Sequence, residues 1–520
     1  MNSSSLKHQW LGKPFWITLG GLFIVFLLSI LVFHNLAEPF ALGLMGLAIL
    51  VLTIKKLEYG LLAAFAELFA NSHGHLISAE VGGFSLSLRM TIFLAVMFGW
   101  LILILMRKVK LSWQDKRLVF FLPLFVAVAT GYIIGLGQNE VAKAFNDGNA
   151  YFYLAYLFPV LSVDWDVIKQ RRLLQVLAAA AAWVTLLTLG LLYEFTHFPA
   201  WMLSSSYTYI RDTRTGELTR MTDSLFRVFL QAQFSLIVFI FFLMPFIWFK
   251  ETSRRTRIWL VVILTPLAGA LLISLSRSFW LGIIAGGLVM ISLLFFWLKP
   301  TWKKIGSSLG LSFLAPIAGV ILLVLIILFP LPYRTGSAGE LSGLFSSRTT
   351  DTEDAAVSSR WKLLPEIWKG IAAAPLLGQG FGEEVTFQTD DPRVRAFSPD
   401  GTWQTYSLEW GWFELWLKMG ILGPLAFILL FGFLMREIII DKKRPIWLTV
   451  GLASGLVMLY VTHVFSPYLN HPIGLGFLLF IVSFLEPGKS WLWSVSIKSK
   501  LPATKLETTM AAPITKQSGY

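Results

Sequence analysis

The sequence predicts an all-α, polytopic integral membrane protein with about 12–14 transmembrane helices and one large extracytoplasmic loop. Three observations carry that prediction. Hydrophobic residues make up 56% of the chain, its mean hydropathy is +0.69 and charged residues are only 14%. That leaves too little polar surface for a soluble protein of 520 residues. Apolar runs near the spanning length of about 20 residues recur along almost the whole chain. A polar stretch, Leu331–Thr405, interrupts them.

The runs lie at 14–34, 36–54, 57–71, 87–106, 118–137, 149–163, 173–195, 225–249, 258–275, 277–298, 308–330, 407–435, 446–466 and 471–486. The first lacks a small-residue cleavage site and is followed by more spans, so it reads as a transmembrane helix and not a signal peptide. The runs at 57–71 and 149–163 are short and read as tilted, re-entrant or incomplete spans. Those at 258–275 and 277–298 must share a tight turn at Ser276-Arg277-Ser278.

Loop charge tests this count independently. With the N-terminus (Lys7, Lys13) in the cytoplasm, the basic loops at Lys55-Lys56, Arg107–Arg117, Lys169–Arg172, Lys250–Arg257, Lys299–Lys304 and Arg436–Arg444 all fall on the cytoplasmic side. So does the tail with Lys489, Lys498 and Lys500. That is the positive-inside pattern. The chain then divides into a transmembrane bundle of about eleven spans at 1–330, an outward loop with short amphipathic helices at 331–405, about three further spans at 406–487, and a cytoplasmic tail at 488–520 that is too polar and aperiodic to fold.

Several function classes drop out. With no cysteine, the chain has no disulfide, thiol nucleophile or cysteine-ligated zinc. The net charge of +13 sits mostly in short loops between apolar runs, which argues for topology and against nucleic acid. There is no sequence repeat, and no inverted pair of broken helices of the kind transporters use.

Outward-facing arginines run against the charge rule and so ask for a reason. Arg211, Arg214, Arg220 and Arg227 lie in or just after the loop between the seventh and eighth spans, Arg277 at the tight turn, and Arg360 in the large loop. A charge at membrane depth costs about 2.5–3.5 kcal/mol and normally has an anionic partner or a wet cavity. A guanidinium fork suits phosphate; snorkelling to headgroups or a distant carboxylate would serve equally well. Within Arg360–Ala374, Trp361, Leu364, Ile367, Trp368 and Ile371 recur at helical spacing, which predicts a helix lying on the membrane surface. Pro375–Gly382 lacks the Lys-Ser/Thr of a phosphate loop, so its glycines read as a close turn. Glu409 and Glu414 follow Tyr406, and desolvation by Trp403, Trp410, Trp412 and Trp416 would raise their pKa toward that of a general base. An interfacial acid facing water is the plainer reading. His73-Gly74-His75 lacks a third ligand for a metal. Asp351, Glu353, Asp354, Asp390 and Asp391 lack the spacing of a calcium loop.

Taken in order, Ser276-Arg277, Arg360 with Trp368, Pro375–Gly382 and Tyr406–Gly423 resemble the O-antigen ligase and polymerase superfamily of bacterial polysaccharide assembly, firmly over about 225–435. The resemblance implies a helical enzyme of the bacterial inner membrane, with both termini cytoplasmic. It implies transfer of glycan from a polyprenyl-diphosphate-linked oligosaccharide to an acceptor glycan or glycolipid, without cofactor or metal. Arg277, Arg360 and Glu409 would be catalytic. Arg227, Arg220, Trp361, Trp368, Trp403 and Tyr406 would bind substrate. Membrane lipids and a chain-length regulator are the other expected partners. Family ligases carry His-Asn where this chain has Glu409-Trp410, which favours a polymerase-type enzyme. A transporter or flippase of a lipid-linked oligosaccharide, or of another anion, is the rival from a different class. A peptidoglycan-type lipid-diphosphate glycosyltransferase is a third reading.

Overall fold

Long apolar helices dominate the chain, joined at one end by short basic loops and at the other by hairpins and a folded strap. The computed structural model describes residues 9–488 except 82–83, 112, 222–224, 250 and 334–354. Lys7, the acidic residues Asp351, Glu353 and Asp354, and the tail from Lys489 lie outside the described residues.

In order, the helices are α1 (Lys13–Val32), α2 (Glu38–Lys55), α3 (Leu57–Ala70), α4 (Leu88–Leu105), α5 (Lys116–Gln138), α6 (Val141–Gly148), α7 (Val167–His197) and α8 (Ala200–Asp212). Next come α9 (Gln231–Trp248), α10 (Arg254–Leu272), α11 (Arg277–Leu298), α12 (Trp302–Ile327), α13 (Ala355–Ala373), α14 (Gly411–Met419), α15 (Leu422–Ile440), α16 (Ile446–Thr462) and α17 (Pro472–Val482). Among them α1, α2, α4, α5, α7, α9, α10, α11, α12 and α15 are long and apolar enough to cross a membrane; α16 and α17 are shorter but equally apolar. Three antiparallel hairpins, which the sequence did not predict, pair β1 (Ser78–Val81) with β2 (Phe84–Ser87), β3 (Glu217–Arg220) with β4 (Phe226–Phe229), and β5 (Val385–Gln388) with β6 (Thr402–Thr405). Strands of four residues leave almost no alternating pattern to read.

Burial separates the helices into two populations. Leu236, Phe242, Leu456, Leu459, Phe477 and Leu478 of α9, α16 and α17 are buried, and α7 adds the small-residue run Ala178–Ala181. By contrast α1, α2, α11 and α12 expose Ile24, Leu31, Phe40, Leu44, Leu288, Phe296, Phe313 and Ile321. Apolar surface on that scale suits a lipid surround, not water. Helices meet closely where glycines face each other: a Cβ on Gly319 of α12 would stand 2.9 Å from the Gly269 nitrogen of α10.

Polar contacts sort the loops into two ends. At the basic end, Arg172 pairs with Glu58 at 2.7 Å and Lys116 with Glu437 at 2.5 Å. Arg117 donates to the Leu485 carbonyl and Arg444 to that of Phe484. The charge pattern had grouped these same loops. At the opposite end, Ser72 donates to the Thr215 carbonyl, Ser466 to Ser278, and Lys418 pairs with Asp147.

The two short runs therefore join opposite ends. Helix α3 covers about 21 Å at 1.5 Å per residue, less than a bilayer core. It is enclosed by protein, with Leu57, Leu61, Leu68 and Phe69 all buried, so it need not match lipid. The second run is a 3-10 helix, Asn149–Tyr156, followed by Leu157–Leu161. The 3-10 form rises about 2.0 Å per residue and so spans further on fewer residues.

Candidate functional site

The tight turn forms as the sequence requires. Helix α10 unwinds through Ser274, whose N–H reaches the Leu271 carbonyl at 3.2 Å, and α11 begins at Arg277. Leu275 between them has φ +48°. A leucine in the left-handed region costs about 1–2 kcal/mol, a strain that survives only where the surroundings impose it. Ser276 and Ser278 share a hydroxyl contact at 3.1 Å, and Ser466 donates to Ser278 at 2.9 Å. Arg277 thus sits, half-buried, at the first position of a helix. The helix dipole disfavours a cation there, while the N–H groups beside it favour an anion.

Arg227, fifty positions earlier in the chain, is carried to this turn by the β3–β4 hairpin. The Val228 N–H donates to the Ile273 carbonyl at 3.4 Å, and Arg227 Nε donates to the Ser274 carbonyl at 2.7 Å. Its guanidinium lies 4.8 Å over the Phe229 ring and 3.7 Å from the Glu217 carboxylate. Two of the predicted arginines therefore share one turn. Arg220 stands on the exposed side of the same hairpin.

Arg360 and Glu409 find each other. They form an ion pair, with Glu409 52% and Arg360 31% exposed. Trp410 Nε1 donates to the Arg360 carbonyl at 2.8 Å and packs edge-on against Trp361, ring centres 5.2 Å apart. On its other side Trp410 meets Phe465 at 5.3 Å. Phe465 adjoins Ser466, which binds Ser278, so the end of α16 stands between the Arg360–Glu409 pair and the Arg227–Arg277 turn.

Helix α13 departs from its expected place. Its Leu363, Ile367 and Ile371 are buried with Val385, Leu408, Trp410 and Leu417 in a separate core, so this face docks on protein instead of lying on a membrane. Trp361 and Trp368 keep large exposed faces, as do Trp403 and, in part, Tyr406. Exposed indole and phenol faces around a polar strap can stack on sugar rings.

The glycine-rich stretch spends the amides of Gly378 through Gly382 on protein carbonyls and on Asp147. Gly378, Gly380 and Gly382 all have φ between +77° and +85°. The amides of Gln379, Gly380 and Phe381 donate to the carbonyls of Leu417, Lys418 and Gly131, and that of Gly382 to Asp147. Asn139 caps the Gln379 and Phe381 carbonyls. A Cβ on Gly380 would stand 2.2 Å from the Gly135 nitrogen, so two bare backbones meet here. The strap is laced to α5 by these bonds.

The desolvated carboxylate is Glu414, not Glu409. The apolar run expected at 407–435 is broken at Gly420 (φ +61°) into α14 and the spanning α15, and α14 buries Glu414 beside Lys418. The Lys418 ammonium, 2% exposed, contacts Asp147 at 2.5 Å, Glu414 at 2.6 Å and the Tyr406 carbonyl at 2.7 Å. Burial raises the Glu414 carboxyl above the usual range, with Lys418 opposing. Sequence reasoning missed Lys418 and Asp147; a lysine inside an apolar run was the available signal. Glu67, another charge in an apolar run, pairs with buried Arg89 at 3.0 Å.

The turn, the strap, Arg360, Glu409 and Lys418 all fall inside one recognisable segment. Residues 260–428 match the O-antigen ligase family. The match agrees with the resemblance to the O-antigen ligase and polymerase superfamily read from the motifs. It covers about a third of the chain, from α10 into α15. Arg227, Asp147 and the α5 glycines that complete the O-antigen ligase segment's contacts lie outside it. No curated protein and no solved structure matches the chain.

Proposed function

We propose that this multi-pass membrane protein is a glycosyltransferase that moves glycan from a polyprenyl-diphosphate carrier to an acceptor sugar on the extracytoplasmic face of the bacterial inner membrane. It would act as a polymerase or ligase of O-antigen or exopolysaccharide units. The observation that supports the reading is the bond from Arg227 to the Ser274 carbonyl of the turn from which α11 opens at Arg277, a turn inside a segment that matches the O-antigen ligase family.

In this scheme the acceptor oxygen attacks the anomeric carbon of the donor sugar as the bond to the diphosphate oxygen breaks, with inversion. Arg277, Arg227 and Arg360 neutralise the charge that grows on the departing diphosphate. Glu409 takes the proton of the attacking hydroxyl. In the resting protein Arg360 and Glu409 satisfy each other. An arriving diphosphate would exchange with Glu409 on the guanidinium and leave the carboxylate free to act as base. Since arginines supply the positive charge, the scheme needs no metal.

Purified protein, lipid-diphosphate-linked oligosaccharide and EDTA form the test, with products sized on a gel. The wild type should give longer glycans, while Arg277→Ala and Glu409→Gln should bind donor yet give less than about a hundredth of the product. A fully active Arg277→Ala would sink the mechanism. Intact donor in every lane, together with donor uptake into vesicles, would instead favour the transporter.

A further inference from the structure

The basic end of the bundle carries a charged face that the transfer scheme does not use. Helices α10 and α12 both start there, and they pack side by side, since Gly269 and Gly319 meet at similar distances from the two starts. Arg254, Arg255 and Arg257 open α10, Lys299 precedes α12, and Lys303 and Lys304 lie in its first turn. Glu251 is the one acid in the sequence between Phe249 and Lys304.

Two of these cations are spent on the protein. Lys304 Nζ donates to the Ile247 carbonyl at 3.3 Å and Arg257 Nη2 to that of Phe249 at 3.0 Å, so both helix starts converge on the end of α9. Arg257 keeps a further donor, its Nε, buried with no acceptor among the described residues. Arg254, Arg255, Lys299 and Lys303 are exposed and enter no ion pair among the described residues. Other loops at this end behave differently: Arg172, Lys116 and Arg444 hold the carboxylates of Glu58, Glu437 and Asp441.

This placement is unfavourable on its own. A helix start carries partial positive charge, so cations in the first turns of α10 and α12 oppose the dipole, and they repel each other across the pair. The charge rule for topology asks only for basic loops and does not put the charges inside a first turn. An anion held between the two starts offsets both penalties.

The surface beside the cations fits a lipid. On α12, Lys303, Gly306 and Gly310 share one face at helical spacing, and a Cβ at either glycine would meet nothing. A furrow of bare backbone therefore runs from the ammonium toward exposed Phe313 and Ile317, while α10 exposes Ile258 and Val262 just past its arginines. Trp302 and Trp259, 84% and 51% exposed, stand at the level where indoles meet headgroups. A second copy of the chain would bring like charges together on this face, which disfavours a dimer seam.

We propose that the starts of α10 and α12 form a binding site for an anionic phospholipid, with its headgroup phosphate among Arg254, Arg255 and Lys303 and an acyl chain along the Gly306–Gly310 furrow.

The test is a thermal-midpoint titration of the full-length protein in neutral detergent with dioleoyl phosphatidylglycerol, dioleoyl phosphatidylcholine or glycerol phosphate. It compares the wild type with the triple variant Arg254→Gln, Arg255→Gln, Lys303→Gln and with a second triple variant, Arg107→Gln, Lys108→Gln, Lys110→Gln. The second loses the same charge from exposed positions after the end of α4, where the dipole favours cations. Before lipid is added, the Arg254 variant should melt no lower than the wild type, because its helix starts are relieved. A lower midpoint would show these cations already matched within the protein and would overturn the site. Phosphatidylglycerol should raise the midpoints of the wild type and the Arg107 variant, and its apparent affinity should fall by about tenfold or more in the Arg254 variant. An affinity within twofold of the wild type there, or an equal loss in the Arg107 variant, would overturn the site. So would phosphatidylcholine acting as strongly as phosphatidylglycerol. Glycerol phosphate acting as strongly would make this a site for soluble phosphate and not for lipid. A midpoint that rises with protein concentration and ignores lipid would assign the face to a second copy.

Discussion

The buried Lys418 ammonium shows how a single charge can hold separate parts of a membrane protein together. It touches Asp147 after α5, Glu414 one helical turn away and the Tyr406 carbonyl of the strap. Taking one member from a buried ionic cluster leaves the others charged, desolvated and unmatched, which costs about 3–5 kcal/mol. Lys418→Met should therefore lower the thermal midpoint in detergent markedly, and adding Asp147→Asn and Glu414→Gln should restore much of it. An unchanged midpoint in the single variant would mean the cluster contributes nothing. At this scale the sequence was only partly legible. Arg277 stood out because a charge at membrane depth in an apolar stretch normally has an anionic partner or a wet cavity. The partners of Arg227 and Arg360 could not be read: the Ser274 carbonyl and Glu409 lie 47 and 49 positions away, and only the fold brings them close.

At the scale of elements, the strap from α13 to α14 is positioned by backbone bonds to α5 that tolerate no Cβ at Gly380. Gly380→Ala should displace the strap, lower the midpoint and reduce glycan transfer together. A variant that keeps both would show that the α5 lacing does not position Arg360 and Glu409. The long helices were legible because period and length are strong signals. The break at Gly420 was not, because an apolar run reads the same whether one helix or two crosses it. What separates them is a left-handed glycine whose Cβ would strike the Leu376 carbonyl at 2.1 Å. The face of α13 was misjudged for a related reason: its apolar stripe fits a membrane surface and a protein core equally well, and α14 and β5 supply the core.

For the whole molecule, loop charge and folded contacts agree on which loops lie together, although one was read from composition and the other from geometry. Assigning the basic end to the cytoplasm is testable without background, since the chain has no cysteine. In intact cells, Phe397→Cys, at a position 87% exposed in the strap, should react with an impermeant maleimide. Ser307→Cys, near the α12 start, should react only after permeabilisation. The reverse pattern would invert the topology and put the arginine turn on the wrong side for an extracytoplasmic reaction.

The laced strap also bears on modularity. Residues 260–428 carry the recognisable motifs, yet Asp147, Asn139, Gly131 and Gly135 belong to an earlier and unmatched part of the chain. The segment is therefore not a cassette. Grafted into a foreign scaffold, it would bring a buried ammonium without its aspartate and a glycine arch without its groove. A chimera that transplants 131–147 along with it is the smallest swap with prospects of assembling.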